Sequence, residues 1–194
     1  KQEKIQGGNM KYFKKIEEKR IYLSPVVKDD ALLFAKWLND EEVTAGLHTT
    51  HTITTEDSAE EMLESIIDKK KPSFEIILKE DDRAIGSIIL TSVNELDRTA
   101  TIGIYIGEKE YRGKGYGTEA LRAIIRYGFD YLNLHNINLS VISYNENALH
   151  CYQKLGFQEY GRRHECVLVG GKYYDRISLE LLEQDYRKLS LQKV

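Results

Sequence analysis

The stretch Thr99-Ala-Thr-Ile-Gly-Ile-Tyr-Ile-Gly107, then Glu108-Lys-Glu-Tyr-Arg-Gly-Lys-Gly-Tyr-Gly-Thr118, then an apolar run to Asn133, decides how this chain is read. Ile102, Ile104 and Ile106 fall on one face at a period of two, which predicts a strand. Leu121, Ile124, Ile125, Phe129 and Leu132 recur at helical spacing, which predicts a helix. Between them lies Arg112-Gly113-Lys114-Gly115-Tyr116-Gly117. Its glycines lack a Cβ, so the backbone can approach a ligand closely. The helix that follows aims free N–H groups and its positive dipole end at the same place. Arg112 and Lys114 add formal charge. A strand, a glycine loop and a helix start in this order predict an anion site, suited to a pyrophosphate.

Two familiar phosphate loops fit poorly. The P-loop requires four residues between its first glycine and a Gly-Lys-Ser/Thr. Here five separate Gly107 from Gly113, and Gly115 stands where the metal-binding hydroxyl belongs. Gly115-Tyr-Gly117-Thr-Glu-Ala120 does match the dinucleotide fingerprint. That pattern also needs an acid at the end of the next strand, and the expected strand Ile137 to Ser143 runs into Tyr144-Asn145.

A third pattern fits without forcing. Arg112-Gly-Lys-Gly115-Tyr-Gly117 resembles the Arg/Gln-x-x-Gly-x-Gly/Ala signature of the GCN5-related N-acetyltransferases, the GNAT superfamily. Downstream, Asn145-Glu-Asn147-Ala148-Leu-His-Cys-Tyr152-Gln-Lys-Leu-Gly156-Phe157 is similar to the second motif of that family. Ile21-Tyr-Leu-Ser-Pro25, Trp37-Leu-Asn-Asp-Glu-Glu42 and Gly171-Lys-Tyr-Tyr174-Asp175 look like its ribosomal-protein N-terminal and spermidine acetyltransferase branch.

The resemblance implies an α+β (mixed α/β) fold. A central, twisted, mostly antiparallel sheet would carry one splayed parallel pair and helices on both faces. It implies acetyl-CoA as co-substrate and no metal. Ile104, Tyr105 and Ile106 would offer backbone groups to the pantetheine arm. Arg112, Gly113, Lys114, Gly115, Tyr116, Gly117 and Thr118 would hold the pyrophosphate, with Asn145 and Asn147 beside the pantetheine. Tyr152 would meet the departing sulfur. A tyrosine titrates near ~10 and a thiol near ~8.5, so full proton transfer runs uphill by about 2 kcal/mol. A donated hydrogen bond serves nearly as well. The alternative within the same fold is an acyl-CoA sensor without catalysis.

The amine and its base are left open. From Trp37 to Asp68 there are nine acidic residues and no Lys or Arg. Such a run is read either as a solvated face or as a wall that attracts a cationic amine. Trp37, Glu41, Glu42 and Glu75 are the candidate substrate residues, and Glu41, Glu42, Glu75 and Glu95 the conceivable bases. Lack of a base would favour α-amines, whereas the wall would favour polyamines or aminoglycosides. Cys151 adjoins Tyr152, but no activating base accompanies it, so direct transfer is expected rather than a covalent relay.

Composition excludes other classes. The 194 residues carry a net charge of −3, which argues against binding nucleic acid through phosphate neutralisation. No apolar run reaches membrane-spanning length and no signal peptide is visible. Cys151 and Cys166 lack metal-ligand spacing, so reduced thiols in the cytoplasm are expected. His48 and His51 read as loop residues. Residues 1–9 read as a leader and residues 10–194 as one domain. The tyrosine-rich final hairpin is a candidate homodimer surface.

Along the chain, strands are expected from Arg20 to Ser24, Phe74 to Leu78, Ile85 to Ser92, Thr99 to Gly107, Ile137 to Ser143, Glu165 to Val169 and Tyr173 to Leu181. Helices are expected after Asp29 or Asp30, from Thr54 or Thr55 to Lys69, after Gly117, and after Asn145.

Overall fold

Apolar alternation builds the sheet. In strand β2 (Ile21–Pro25), Ile21 and Leu23 enter one core and Tyr22 the opposite one. Every residue of β3 (Ser73–Leu78) is buried, because both of its faces are covered. A computed structural model describes residues 11–191. The expected leader, residues 1–9, lies outside the described residues.

Eight strands form one sheet in the order β1-β2-β3-β4-β5-β6-β8-β7. The remaining strands are β1 (Ile16–Glu17), β4 (Ala84–Asn94), β5 (Thr99–Ile106), β6 (Asn136–Ile142), β7 (Gln158–Val169) and β8 (Lys172–Leu182). All neighbours are antiparallel except β5 and β6. On one face, α4 (Tyr116–Asp130) buries Leu121, Ile124, Ile125 and Phe129. On the other, α1 (Ala31–Leu38) and α3 (Glu56–Asp68) pack Phe34, Trp37, Ala59 and Leu63 over Tyr22 and Ile77. The expected mixed fold is the one adopted.

Several elements differ from expectation. Helix α2 (Glu41–Leu47) and helix α6 (Glu183–Leu191) were not expected from the sequence. The first is one short, weakly apolar segment stabilised by Asp40, whose side chain accepts from the Glu42 N–H at 2.8 Å. Asp30 stands before α1, yet its carboxylate makes no cap bond; it turns instead to Lys11 and Tyr12. Thr55 does cap α3, in a reciprocal box with Ser58. Within α3, Leu63 is fully buried while Ile67 is 44% exposed. Strand β7 begins at Gln158, well before the expected Glu165, and its mostly polar exposed residues hide it from an apolar pattern.

The parallel pair positions the site. β5 and β6 pair only over Thr99 with Asn136, Ala100 with Ile137, and Thr101 with Asn138. At the last of these, Thr101 Oγ1 donates to Asn138 Oδ1 at 2.8 Å. Beyond it β5 stays with β4 while β6 pairs with β8 along its whole length. The two strands therefore diverge toward their C-terminal ends. The gap leaves the facing edges of the two strands without a strand partner beyond Thr101 and Asn138.

Candidate active site

A cavity of about 740 Å³ fills the gap between the diverging strands. Ile104, Tyr105 and Ile106 of β5 form one wall, and Ser140 and Val141 of β6 the other. α2 lines it through Val43 and Leu47, and α5 (Glu146–Lys154) through Ala148, Cys151 and Tyr152. The glycine loop lines it through Arg112, Gly113, Gly115 and Gly117.

That loop presents backbone N–H groups toward the cavity. Residues 112–115 form a turn, and among the described residues no backbone N–H from Gly113 through Thr118 makes a well-formed hydrogen bond within the protein. Gly113 and Gly115 have φ of +70° and +86°, in the left-handed region that side chains rarely adopt. Gly117 is different. It lies in the first turn of α4, and a Cβ there would meet nothing closer than 3.8 Å. Nothing in the chain's own packing requires a glycine at 117; an occupant close to the helix start would.

The arginine of the loop acts inward. Arg112 Nε donates to the Ile106 carbonyl at 3.0 Å, and its Nη2 to the Gly107 carbonyl and to Asp40 Oδ2 at 2.9 Å. Its Nη1 donates to Glu42 Oε2 at 2.7 Å. The positive charge that the sequence reading assigned to the anion is thus matched by two carboxylates, and the side chain serves to bind α2 to the loop. Lys114 forms no ion pair among the described residues, so its exposed ammonium is the loop's uncommitted charge.

Arg20 and Glu119 were missed as site residues. Arg20, in the β1–β2 turn, donates from Nη2 to the Lys114 carbonyl at 3.0 Å and from Nε to Glu119 Oε1 at 2.6 Å. Its guanidinium lies 4.1 Å from the Tyr116 ring centre. Glu119 is buried and also accepts from the Arg20 N–H at 3.0 Å. A sequence separation of 99 residues gives no local signal of this pairing.

Tyr152 lines the cavity, and its hydroxyl bonds to no group among the described residues. Burial, and secondarily the neighbouring Cys151, pushes its pKa up to about 12. Asn145 lines the cavity too, but its Oδ1 accepts from the Ala148 N–H at 3.2 Å and caps α5. Asn147 is exposed at the rim. Cys151 Sγ sits 3.2 Å from Thr118 Oγ1, which ties α5 to the start of α4.

The expected substrate residues mostly lie elsewhere. Trp37 is buried in the core; its Nε1 donates to Glu108 Oε1 at 2.9 Å, and its indole fills the space that a Cβ on Gly107 would need. Glu75 is fully buried under α1 and accepts from the Val27 N–H at 2.9 Å. Burial and the adjoining Asp30 raise its pKa far above the ordinary carboxyl range. Glu41 is exposed outside the cavity. Only Glu42 lines it, and that carboxylate also meets Lys109. Four of the nine acids of the run are matched: Asp40 and Glu42 pair with Arg112, and Glu60 and Glu64 with Lys28. No group of three or more His, Cys, Asp or Glu among the described residues is placed to hold a metal. None of the described helices is long and apolar enough to cross a membrane.

Comparison with known proteins agrees with this geometry. The family model described as an acetyltransferase (GNAT) domain matches residues 20–158. The uncharacterised N-acetyltransferase p20 of Bacillus licheniformis is 29% identical over 171 residues, covering 86% of this chain and 95% of that protein. The spermidine N(1)-acetyltransferase of Escherichia coli K12 is 35% identical over 106 residues, covering 55% of this chain and 56% of its own length. Among solved structures, spermidine N-acetyltransferase from Vibrio cholerae in complex with CoA and spermine superposes with a TM-score of 0.78 at 24% identity. That match covers 88% of this chain and 99% of the other.

Proposed function

The chain belongs to the GNAT family of N-acetyltransferases, and we propose that it moves the acetyl group of acetyl-CoA to a primary amine by direct attack on the thioester. One observation carries this reading: the glycine loop and the start of α4 open into a gap between diverging strands, and among the described residues the N–H groups of 113–118 make no well-formed hydrogen bond within the protein. Such a gap accepts an extended, amide-bearing chain as a pseudo-strand, and the N–H run accepts its diphosphate. Acetyl-CoA has both parts and supplies the activated acetyl group.

Ile104, Tyr105 and Ile106 would hold the pantetheine amides, with a β5 N–H facing the carbonyl oxygen as charge develops on it. Asn145 and Asn147 flank the same arm, the first by fixing the start of α5. Tyr152 hydrogen-bonds the departing sulfur. With its pKa near 12, complete transfer to a thiolate of ordinary pKa ~8.5 would cost on the order of 5 kcal/mol, so it stabilises the sulfur mainly as a donor.

The amine is either a protein N-terminal α-amine or a small cationic amine such as a polyamine. Glu42 is the sole carboxylate among the described residues lining the cavity, and it is already paired. A site without a free base works best on an amine that is partly neutral at pH 7, which favours an α-amine of pKa near ~8. The test follows release of free CoA thiol from acetyl-CoA with peptides and polyamines as acceptors. Turnover with N-terminal peptides and not with spermidine supports the α-amine. Preference for spermidine overturns that choice, and failure with every amine overturns the proposed reaction.

A further inference from the structure

We propose that Arg20 is a positioning residue for the diphosphate loop: it draws the Lys114 carbonyl to the outer side so that the loop's N–H groups face the ligand. This rests on the reading of the loop as the acetyl-CoA diphosphate site. A peptide unit carries its C=O and N–H on opposite sides, so holding the carbonyl outward turns the adjoining N–H inward. The Lys114 carbonyl is gripped at 3.0 Å by Arg20 Nη2. The next unit follows the left-handed turn at Gly115, where an added Cβ would come 3.2 Å from that same Nη2. The guanidinium is therefore packed against the back of the loop.

Three other contacts hold the arginine in place. Its Nε donates to the buried Glu119 carboxylate at 2.6 Å, and its own N–H to the other oxygen of that carboxylate at 3.0 Å. Its planar face rests on Tyr116, the residue between two of the loop's glycines. Glu119 in turn lies in the first turn of α4, where the helix dipole favours a carboxylate. Left unpaired there, that buried charge would repel a diphosphate arriving at the same helix start. Arg20 removes the repulsion as well as setting the loop's shape. The fork geometry needed for carbonyl, carboxylate and ring together belongs to arginine and not to lysine.

The experiment compares two acetyl donors: acetyl-CoA, and S-acetylpantetheine, which has the same thioester and arm but no diphosphate. Arg20→Gln is expected to raise KM for acetyl-CoA by about tenfold or more, the effect of losing a charge-assisted hydrogen bond. It should leave kcat at saturation and kcat/KM for S-acetylpantetheine near those of the unmodified protein. Arg20→Lys should fail to restore the acetyl-CoA KM, and Glu119→Gln should raise it in the same donor-selective way. Equal losses with both donors would overturn the proposal in favour of general structural damage, as would recovery in Arg20→Lys, which would reduce the effect to net charge. If the unmodified protein shows no preference for acetyl-CoA over S-acetylpantetheine, the diphosphate reading of the loop itself falls.

Discussion

Tyr152 and Gly117 show the two ways in which single residues commit this chain to its chemistry. Tyr152 lines the cavity, and among the described residues its hydroxyl has no hydrogen-bond partner. Tyr152→Phe is therefore expected to lower kcat by about 10²-fold, the scale of losing one hydrogen-bond donor to developing charge, with little change in acetyl-CoA KM. Equal losses in kcat and affinity would make it a binding residue. Among the described residues the Cys151 thiol has Thr118 Oγ1 as its hydrogen-bond partner and no activating base, so Cys151→Ala should keep most turnover. Loss of turnover in a folded protein would argue for a covalent route. Gly117 gives a trade-off. Alanine there has room within the chain and should stabilise α4 by a few tenths to about 1 kcal/mol. Its methyl group would intrude on the ligand. Gly117→Ala should thus raise the Tm of the free protein and weaken acetyl-CoA binding, both measurable by thermal shift. These residues were legible in the sequence because motif spacing names them. Arg20 was not, since its meaning depends on a partner far along the chain.

At the scale of elements, charge pairs fasten helices to the sheet. Asp30, just before α1, and Glu75, inside β3, meet in the core beneath Tyr12. Burial holds the Glu75 proton in the folded state at pH values where an unfolded glutamate, near ~4.3, has already released it. The folded state then binds more protons than the unfolded one, so this group's contribution to stability falls as pH rises above ~4.3. Glu75→Gln retains an acceptor for Val27 and cannot ionise. It should flatten the decline in Tm between pH 5 and 8, roughly the span over which the two states differ in charge. An unchanged slope would place the pH dependence elsewhere. Asp40 has the opposite sign, because the hydrogen bond from Arg112 lowers its pKa. Its contribution is present above ~3.9 and is lost as pH falls through the lower folded value. α2, which Asp40 caps, escaped the sequence reading because seven residues show too little periodicity to stand out.

For the whole molecule, the sheet's divergence is what makes a site out of otherwise ordinary parts. Acetyl-CoA at a hundred times its Kd should add about 2.7 kcal/mol of stability, read as a rise in Tm that free CoA shares and NAD does not. A rise with NAD alone would revive the dinucleotide alternative. The sequence by itself determined the mixed fold, the glycine loop between β5 and α4, and the place of Tyr152 on α5. Each of these depends on residues close together in the chain, where periodicity and glycine spacing act directly. Only the tertiary structure decided what the charges do. Arg112 is tied to α2 by two carboxylates while it lines the cavity, and Trp37 and Glu75 lie in the core. Glu119 and Arg20 became the back of the loop. Electrostatic partners are chosen by distance in space, and in this fold the deciding pairs join segments some 70 to 100 residues apart.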